Sequence, residues 1–170
     1  MKLEKKYSSL TNIIKKHEMV DILGVKACFS LLSAGNRIDK ECAKRLGVYQ
    51  LSESRFMILT LLFEYEVLSP VEIANLSGVT KPTTTSLITS LEKDGLIKRS
   101  NAPSDGRKLE ITLTEEGREL IQKVFQEHSY WIANITKNLT DSEMETLVCI
   151  LDKMFQNASD DQTVLNIKDS

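Results

Sequence analysis

The chain has 170 residues, of which 41% are apolar, and its formal net charge is −2. This length corresponds to about one domain, and such an apolar fraction is ordinary for a protein that buries its own core, so disulfide or metal staples should not be needed. The slight negative charge and the pI of about 5.8 exclude a uniformly basic nucleic-acid-binding chain. The local field matters more than the total, however, and acidic residues concentrate in the last quarter of the sequence.

The cysteines and the hydropathy pattern exclude further classes. Cys28, Cys42 and Cys149 lie far apart and form no C-x-x-C or Cys/His cluster, so we expect neither a structural metal nor a disulfide framework. The N-terminus lacks an apolar segment of signal-peptide length, and the apolar stretch 56–63 is too short to cross a bilayer. We expect a cytoplasmic protein with reduced thiols, no cofactor and no membrane partner.

The N-terminal third is predicted to be helical. Between residues 10 and 46, apolar side chains recur at spacings of three and four, which predicts one helix or two that meet near Gly24. Cys28 lies on this apolar stripe and is predicted to belong to the core. Ser52 is the predicted N-cap of a further helix over 53–65, whose wide apolar arc indicates a central, buried position.

Two short helices are predicted next. Ser69-Pro70 is a strong helix start, with serine as N-cap and proline at the first helical position, and this helix should end near residue 76. Residues 77–79 form a tight connection. Thr80 is the predicted N-cap of a second helix, which Gly95 stops.

A hairpin and two longer helices complete the chain. Alternating apolar residues predict strands over 97–101 and 109–113, joined through a polar loop at 102–106. A long helix should start near residue 114, and Thr140-Asp141-Ser142-Glu143 is a capping box for a last helix. The order predicts a mainly α fold with a small β-hairpin wing. Its predicted parts are N-terminal helices (1–50), a winged helix-turn-helix module (51–114), C-terminal helices (115–157) and a polar tail (158–170).

The second short helix has the pattern of a DNA-reading element. Two helices joined by a glycine-containing turn form a helix-turn-helix, in which the first helix braces the second. At about 100° per residue, the core side of the second helix carries Thr84, Leu87, Ile88 and Leu91. The opposite side offers small hydroxyls and positive charge, which suit phosphates and base edges, although Ser and Thr are also common on plain solvated surfaces. The candidates on this side are Lys81, Pro82, Thr83, Thr85, Ser86, Thr89, Ser90 and Lys93.

The hairpin tip supplies further cations. Asp105-Gly106-Arg107-Lys108 places two positive charges beside a projecting turn, and an arginine on such a tip can enter the narrow minor groove. Asp105 is expected to orient Arg107 through a charge-assisted hydrogen bond. Asp-Gly also favours turns whatever the function, and a tip arginine can be a merely solvated charge.

These segments resemble the MarR family of winged-helix regulators. The resemblance spans about residues 51–117, and the flanking helices match only in order and length. The residues that carry it are Ser69-Pro70, Ile73-Ala74, Leu76, Lys81-Pro82-Thr83, Leu87, Leu91-Glu92, Gly95-Leu96-Ile97, Asp105-Gly106-Arg107, Leu113-Thr114 and Gly117.

The resemblance implies a transcriptional regulator, not an enzyme, that binds double-stranded DNA sequence-specifically. N- and C-terminal helices would hold a homodimer, and each subunit would present a recognition helix to the major groove and a wing to the minor groove of one half of a pseudo-palindromic operator. Repression is the commoner role in the family. It is relieved when a small aromatic or lipophilic effector binds between the dimerisation helices and the winged module and the regulator releases DNA. Many members carry arginine at the positions of Ser86 and Ser90, so the DNA contacts of this chain should differ there.

The sequence leaves the sensory mechanism open. Phe29, Phe56 and Trp131 either line an effector cavity or belong to an ordinary core. A redox-sensing regulator would need a thiol of lowered pKa, and Cys42, near Lys44 and Arg45, is the better candidate.

Two further readings are weaker. A winged-helix module that binds protein instead of DNA is compatible with the modest charge and the missing helix arginines. His17 and His128 have no nucleophile motif or metal-ligand spacing around them, so both are predicted to be surface or structural residues.

Overall fold

The computed structural model describes residues 4–17, 22–102 and 105–160. This part of the chain is mainly helical with one small antiparallel sheet, which confirms the predicted fold class. The helices are α1 (Lys5–His17), α2 (Ile22–Gly47), α3 (Glu53–Tyr65), α4 (Pro70–Ser77), α5 (Lys81–Lys93), α6 (Glu115–Ile135) and α7 (Asp141–Asp160), and the strands are β1 (Val67–Leu68), β2 (Ile97–Ala102) and β3 (Asp105–Leu113).

The chain divides into two compact units, with the boundary inside α6 between His128 and Ser129. The first unit contains α1 to α5, the sheet and the first part of α6. The second unit contains the end of α6 and α7.

Polar side chains set the helix starts that the sequence predicts. The Ser69 hydroxyl accepts from the Glu72 backbone N–H at 3.3 Å, and the Glu72 carboxylate accepts from the Ser69 N–H at 2.8 Å, so α4 opens with a complete capping box. Thr140 and Glu143 form the same reciprocal pair at α7. The Ser52 hydroxyl accepts from the Arg55 N–H at the start of α3. These predicted caps are confirmed.

The sheet has one strand more than the sequence predicted. The strand order is β1-β3-β2, and both pairs are antiparallel, with Val67 opposite Thr112 and Ile97 opposite Leu113. Residues 67 and 68 are too few to show an alternation, so β1 escaped prediction. The hairpin strands also run further into the predicted 102–106 loop, because Ala102 still pairs with Asp105.

The core of the first unit gathers around α3. Ile58, Leu59 and Leu62 have no exposed surface, which confirms the predicted central position of this helix. α4, α5, the sheet and the first turns of α6 contribute most of the other buried apolar side chains, and Leu46 at the end of α2 and Leu51 complete them. These include Ile73, Ile88, Leu91, Ile97, Ile111, Leu113, Ile121 and Val124.

The N-terminal helices differ from the prediction. α1 starts at Lys5, and α2 is described from Ile22 onwards, so Gly24 lies inside α2. Residues 18–21 lie outside the described part. The two helices pack through Tyr7, whose ring stacks on Phe29 at 5.0 Å between centroids and whose hydroxyl accepts from the Asn36 amide at 3.2 Å.

This packing explains why Cys28 is not a core residue. α1 covers the side of α2 that carries Phe29, Ser33 and Asn36, and Ser33 is completely buried there. Cys28 lies on a different side and is exposed, so the prediction from the apolar stripe was wrong.

Within the described residues, no helix is both long and apolar enough to span a bilayer. The same residues contain no group of three His, Cys, Asp or Glu side chains that could hold a metal ion.

Candidate nucleic-acid interface

A left-handed glycine makes the turn between α4 and α5. Gly78 has φ of +67°, a conformation that side-chain-bearing residues rarely adopt, and it ends α4 directly after Ser77. Two residues later Thr80 is the N-cap of α5. The buried Thr84 hydroxyl donates to the Thr80 carbonyl at 3.1 Å and so fixes the first turn of α5 against this connection.

α5 has one buried and one exposed side, as the 100° periodicity predicts. Thr84, Ile88 and Leu91 are fully buried, and Leu87 is half-buried. Lys93, Ser86 and the other predicted outward residues are exposed, except Ser90, which is half-buried. The exposed set is Lys81, Pro82, Thr83, Thr85, Ser86, Thr89 and Lys93.

The N-terminus of α5 differs from the prediction in its capping. Thr80 occupies the N-cap position with extended backbone, but its side chain accepts no hydrogen bond from the first turn. Its hydroxyl instead bonds the Thr83 hydroxyl at 2.9 Å. One reason is that Pro82 has no N–H to offer. The backbone N–H groups at this end, next to the exposed Lys81, are therefore not covered by the Thr80 side chain and favour an anion.

The outward hydroxyls have unequal hydrogen-bonding capacity. Thr85 donates to the Lys81 carbonyl and Thr89 donates to the Thr85 carbonyl, each at 3.0 Å. Such back-bonding uses the only hydroxyl proton that each threonine has. Ser86 makes no side-chain hydrogen bond with any described residue.

Two arginines from outside α5 reach its outward side, and sequence reasoning missed both. Arg55 of α3 pairs with Asp94 at 2.6 Å and donates to the Ser90 hydroxyl at 3.2 Å. Arg99 of β2 pairs with Glu92 at 3.0 Å and donates to the Thr89 hydroxyl at 2.7 Å.

These two ion pairs change the electrostatics of the α5 C-terminus. Glu92 and Asp94 would repel DNA phosphates and are unfavourable near the negative end of a helix dipole, and the two arginines compensate both charges. In the sequence, the only signal for these ion pairs is the mixture of acidic and basic residues over 92–99. Arg55 lies 39 residues from Asp94, so local spacing gave no signal.

The wing is an antiparallel hairpin of β2 and β3, with Lys108 exposed on its second strand. The side chains of Asp105 and Arg107 lie outside the described residues, as do residues 103 and 104. The structure therefore defines the strand that carries the Asp105-Gly106-Arg107 motif, and the predicted pairing of the two side chains stays a prediction.

The base of the wing is joined to α5 and α6 by close backbone contacts. Gly95 follows α5 with φ of +73°, and its carbonyl accepts from the Thr114 hydroxyl at 2.6 Å. Gly117, in the first turn of α6, lies against Leu96, so that a Cβ at this position would overlap the Leu96 carbonyl oxygen. Glycine at 117 is thus required by a close approach of two backbones.

A cavity of about 140 Å³ opens between the end of α2 and α6 in the first unit. The Tyr49 hydroxyl donates to Glu127 at 2.6 Å at its edge, and this bond raises the pKa of the phenol. Phe29 and Phe56 are not among its lining residues, and Trp131 belongs to the second unit. The cavity is lined by Arg45, Leu46, Val48, Tyr49, Val124, Glu127 and His128.

The structure contradicts the choice of Cys42 as a thiol of lowered pKa. Burial raises the pKa of the Cys42 thiol, and Glu53 and Asp39 raise it further, so Lys44 and Arg45 do not activate it. Its sulfur lies 3.8 Å from Nε2 of His128, which is half-buried and tilted against the Phe56 ring. Cys149 is exposed. His17 is an exposed residue, and His128 is a structural one, as predicted.

A braced helix after a tight turn, followed by a short three-stranded sheet with a hairpin, defines the winged helix-turn-helix class of DNA-binding proteins. The model of the MarR family matches residues 51–109. The chain is 31% identical over 156 residues to the HTH-type transcriptional repressor YetL of Bacillus subtilis, covering 91% of this chain and 93% of that protein. The chain therefore belongs to the MarR family.

Solved structures agree with this assignment. YusO from Bacillus subtilis superposes with a TM-score of 0.66 at 25% identity, covering 81% of this chain and 97% of that one. NadR, solved in complex with 4-hydroxyphenylacetate, superposes with a TM-score of 0.58 at 26% identity, covering 74% of this chain and 89% of that one. The curated relatives of this family that match are HTH-type regulators of transcription, so the chain is a DNA-binding regulator and not an enzyme.

Proposed function

We propose that the protein is a sequence-specific repressor that binds a pseudo-palindromic operator as a homodimer. In this proposal α5 enters the major groove, and the hairpin of β2 and β3 reaches the adjacent minor groove. The observation that carries the proposal is the two-sided character of α5. One side is buried except for the half-buried Leu87, and the other exposes hydroxyls and lysines with no large apolar side chain.

The DNA-facing residues are proposed from exposure and from the sequence motifs. Lys81 and the uncovered N–H groups of the first turn of α5 suit a phosphate, and the α5 hydroxyls suit base edges. The wing is proposed to use Arg107 in the minor groove, oriented by Asp105. The proposed contact residues are Lys81, Pro82, Thr83, Thr85, Ser86, Thr89, Ser90, Asp105, Arg107 and Lys108.

The homodimer is proposed to form through the terminal helices. α7 exposes several large apolar side chains, among them Val148 and Phe155, which are 59% and 61% exposed. A monomer seldom exposes so many on one helix, and burial against a second copy would remove them from water. On this proposal residues 1–50 and 115–157 assemble the dimer, and residues 51–114 read DNA.

Binding-site selection from random duplex DNA tests the proposal. We expect an enriched inverted repeat with half-sites about one helical turn apart, and an affinity that falls steeply as salt rises, because phosphate contacts release counterions. Arg107→Ala should weaken binding about tenfold or more, in line with the loss of a good groove contact. Arg37→Ala, which removes an exposed arginine of α2, is the charge-matched control and should leave affinity nearly unchanged.

We further propose that the cavity between α2 and α6 receives a single-ring aromatic effector that releases the protein from DNA. Its volume of about 140 Å³ is close to that of the engineered apolar cavities, roughly 150 Å³, that accept benzene. Arg45 and His128 are polar groups in its lining, and NadR supplies a structure of a relative with an aromatic acid bound.

Titration with 4-hydroxyphenylacetate and other single-ring aromatic acids tests this second part. Val48 is exposed at the rim, so Val48→Trp should block entry without disturbing the core. We expect the variant to keep its operator affinity and to lose release by any acid that acts on the native protein. Equal release of the variant and the native protein would place the effector elsewhere.

A further inference from the structure

Thr89 and Ser90 are neighbours on α5, yet the structure leaves them with opposite hydrogen-bonding capacities. We propose that Arg99 and Arg55 set this difference, so that Thr89 reads thymine through its methyl group while Ser90 reads a base acceptor through its hydroxyl proton. The inference rests on the proposed function, since it requires that α5 lies in the major groove.

The Thr89 hydroxyl both donates and accepts a hydrogen bond within the protein. Its proton is donated to the Thr85 carbonyl at 3.0 Å, and its oxygen accepts from Nη2 of Arg99 at 2.7 Å. A hydroxyl has one proton, so Thr89 has no donor left for a base. The uncommitted part of this exposed side chain is its methyl group.

Arg99 also forms an ion pair with α5. Its Nε lies 3.0 Å from the Glu92 carboxylate, which belongs to the same helix as Thr89. The guanidinium thus connects two successive turns of α5 to β2. The planar group is placed by this ion pair beside the hydroxyl of Thr89, to which it donates.

The Ser90 hydroxyl accepts a hydrogen bond and does not donate one to a described residue. Its oxygen accepts from Nη1 of Arg55 at 3.2 Å, and its proton is donated to no described residue. Arg55 is held by Asp94 at 2.6 Å, and its side chain is only 16% exposed. Because the arginine approaches the oxygen, the hydroxyl proton points away from it and remains a free donor.

The two capacities match different features of the major groove. A methyl group packs against the C5 methyl of thymine, and the other base pairs offer no such apolar contact. A donor bonds to N7 or O6 of guanine, N7 of adenine or O4 of thymine, and it is mismatched with the amino group of cytosine. We therefore expect the selected operator to contain a thymine opposite Thr89 and an acceptor-bearing base opposite Ser90.

Two substitutions at residue 89 separate the methyl group from the hydroxyl. Thr89→Val, which is isosteric, keeps the methyl group and removes the hydroxyl, whereas Thr89→Ser removes the methyl group and keeps the hydroxyl. We expect Thr89→Val to retain the thymine preference and Thr89→Ser to lose about fourfold in affinity per half-site, the factor for burying one carbon group, and so about fifteenfold for a homodimer on two half-sites. Replacing that thymine by deoxyuridine in one half-site should weaken binding by the native protein about fourfold and leave binding by Thr89→Ser unchanged.

The second arm concerns Ser90 and Arg55. Ser90→Ala and Arg55→Met should relax base preference at the same operator position, and the double variant should be no worse than the more affected single variant. Ser86→Ala is the control, because Ser86 is an exposed serine of the same helix without an arginine partner among the described residues. It should act at a different position.

The outcomes separate this inference from the proposed function. If the native protein enriches no site, the proposed function itself is wrong. If a site is enriched but Thr89→Val loses the preference for thymine as Thr89→Ser does, the inference is wrong. It is also wrong if Arg55→Met and Ser90→Ala act at different base pairs. Thermal unfolding of each variant shows that the fold is intact, and the deoxyuridine arm needs no variant at all.

Discussion

At the scale of single residues, Gly117 gives a prediction with a matched control. Gly117→Ala should destabilise the protein by about 1–3 kcal/mol, because the added carbon overlaps the Leu96 carbonyl and the backbone must move. Gly35→Ala, in the interior of α2, meets no described atom and should stabilise the protein by about 1 kcal/mol through helix propensity. Urea unfolding of both variants measures the difference, and two changes of the same sign would contradict the close approach at Gly117.

Residue pairs that are close in the chain could be predicted from the sequence, and distant pairs could not. The Ser69–Glu72 capping box was predicted because its two members are three residues apart. The pairing of Arg55 with Asp94 was not, because the two residues meet only when α3 packs beside α5. Cys28 shows the same limit, since its apolar stripe gave no information on which side of α2 would be covered by α1.

His128 gives a pH-dependent prediction. Burial lowers the pKa of His128 below its usual value of 6.5, Arg45 lowers it further, and Glu53 opposes them. The unfolded chain therefore takes up this proton at higher pH than the folded protein does, and stability falls as the pH drops through 6.5 towards the folded pKa.

Thermal unfolding between pH 7.5 and about 5 checks this sign. His128→Gln should flatten the acid-side loss of stability. His17→Gln, at an exposed position of α1, is the control and should leave the dependence of stability on pH unchanged. A native slope that survives in His128→Gln would assign the loss to other groups.

At the scale of elements, boundaries set by caps were predicted well and those set by pairing were not. α4 and α7 begin directly after Ser69 and Thr140, whose side chains cap the first turn as expected, and α5 begins directly after Thr80, although that side chain makes no capping bond. β1 was missed because its two residues become a strand only when β3 lies beside them. For the same reason β2 and β3 extend beyond the predicted strand ends.

The capping box of α4 gives an element-scale prediction. The backbone N–H of Ser69, and after it the Ser69 hydroxyl, lower the pKa of the Glu72 carboxyl. Ser69→Ala keeps that N–H and removes the hydroxyl, which is also the acceptor for the Glu72 N–H, so we expect a loss of about 1 kcal/mol of stability. Because the folded pKa of Glu72 is lowered, the stability that the Glu72 carboxylate contributes is present at neutral pH and is lost as the pH falls through that pKa. Ser100→Ala, at an exposed position of β2, is the control, and a similar loss there would exclude a capping origin.

At the scale of the whole molecule, the class of regulator follows from the order of elements, and the proposed assembly rests on the exposed apolar surface of α7. The helix-turn-helix and hairpin were predicted because each carries strong turn and cap signals within a few residues. The electrostatics of the interface were not, since they depend on arginines contributed by α3 and β2. A prediction of the operator sequence therefore has to start from the hydrogen-bond donors and acceptors that remain unused on the folded α5.

The proposed dimer gives a prediction at this scale. Val148→Glu introduces a charge on the exposed apolar surface of α7, and we expect it to favour the monomer and to reduce operator affinity about tenfold or more, as bivalent binding is lost. Gln156→Glu adds the same charge to an exposed polar position of α7 and should change neither property. Sedimentation measures the assembly, and a monomeric native protein would contradict the proposal.

The order β1-β3-β2 has a consequence for crowded solutions. One edge strand, β1, is only two residues long, and the other edge strand, β2, carries Lys98 and Arg99. Neither edge strand offers a long apolar template to a strand of another molecule, so growth of fibrils by strand addition should be disfavoured.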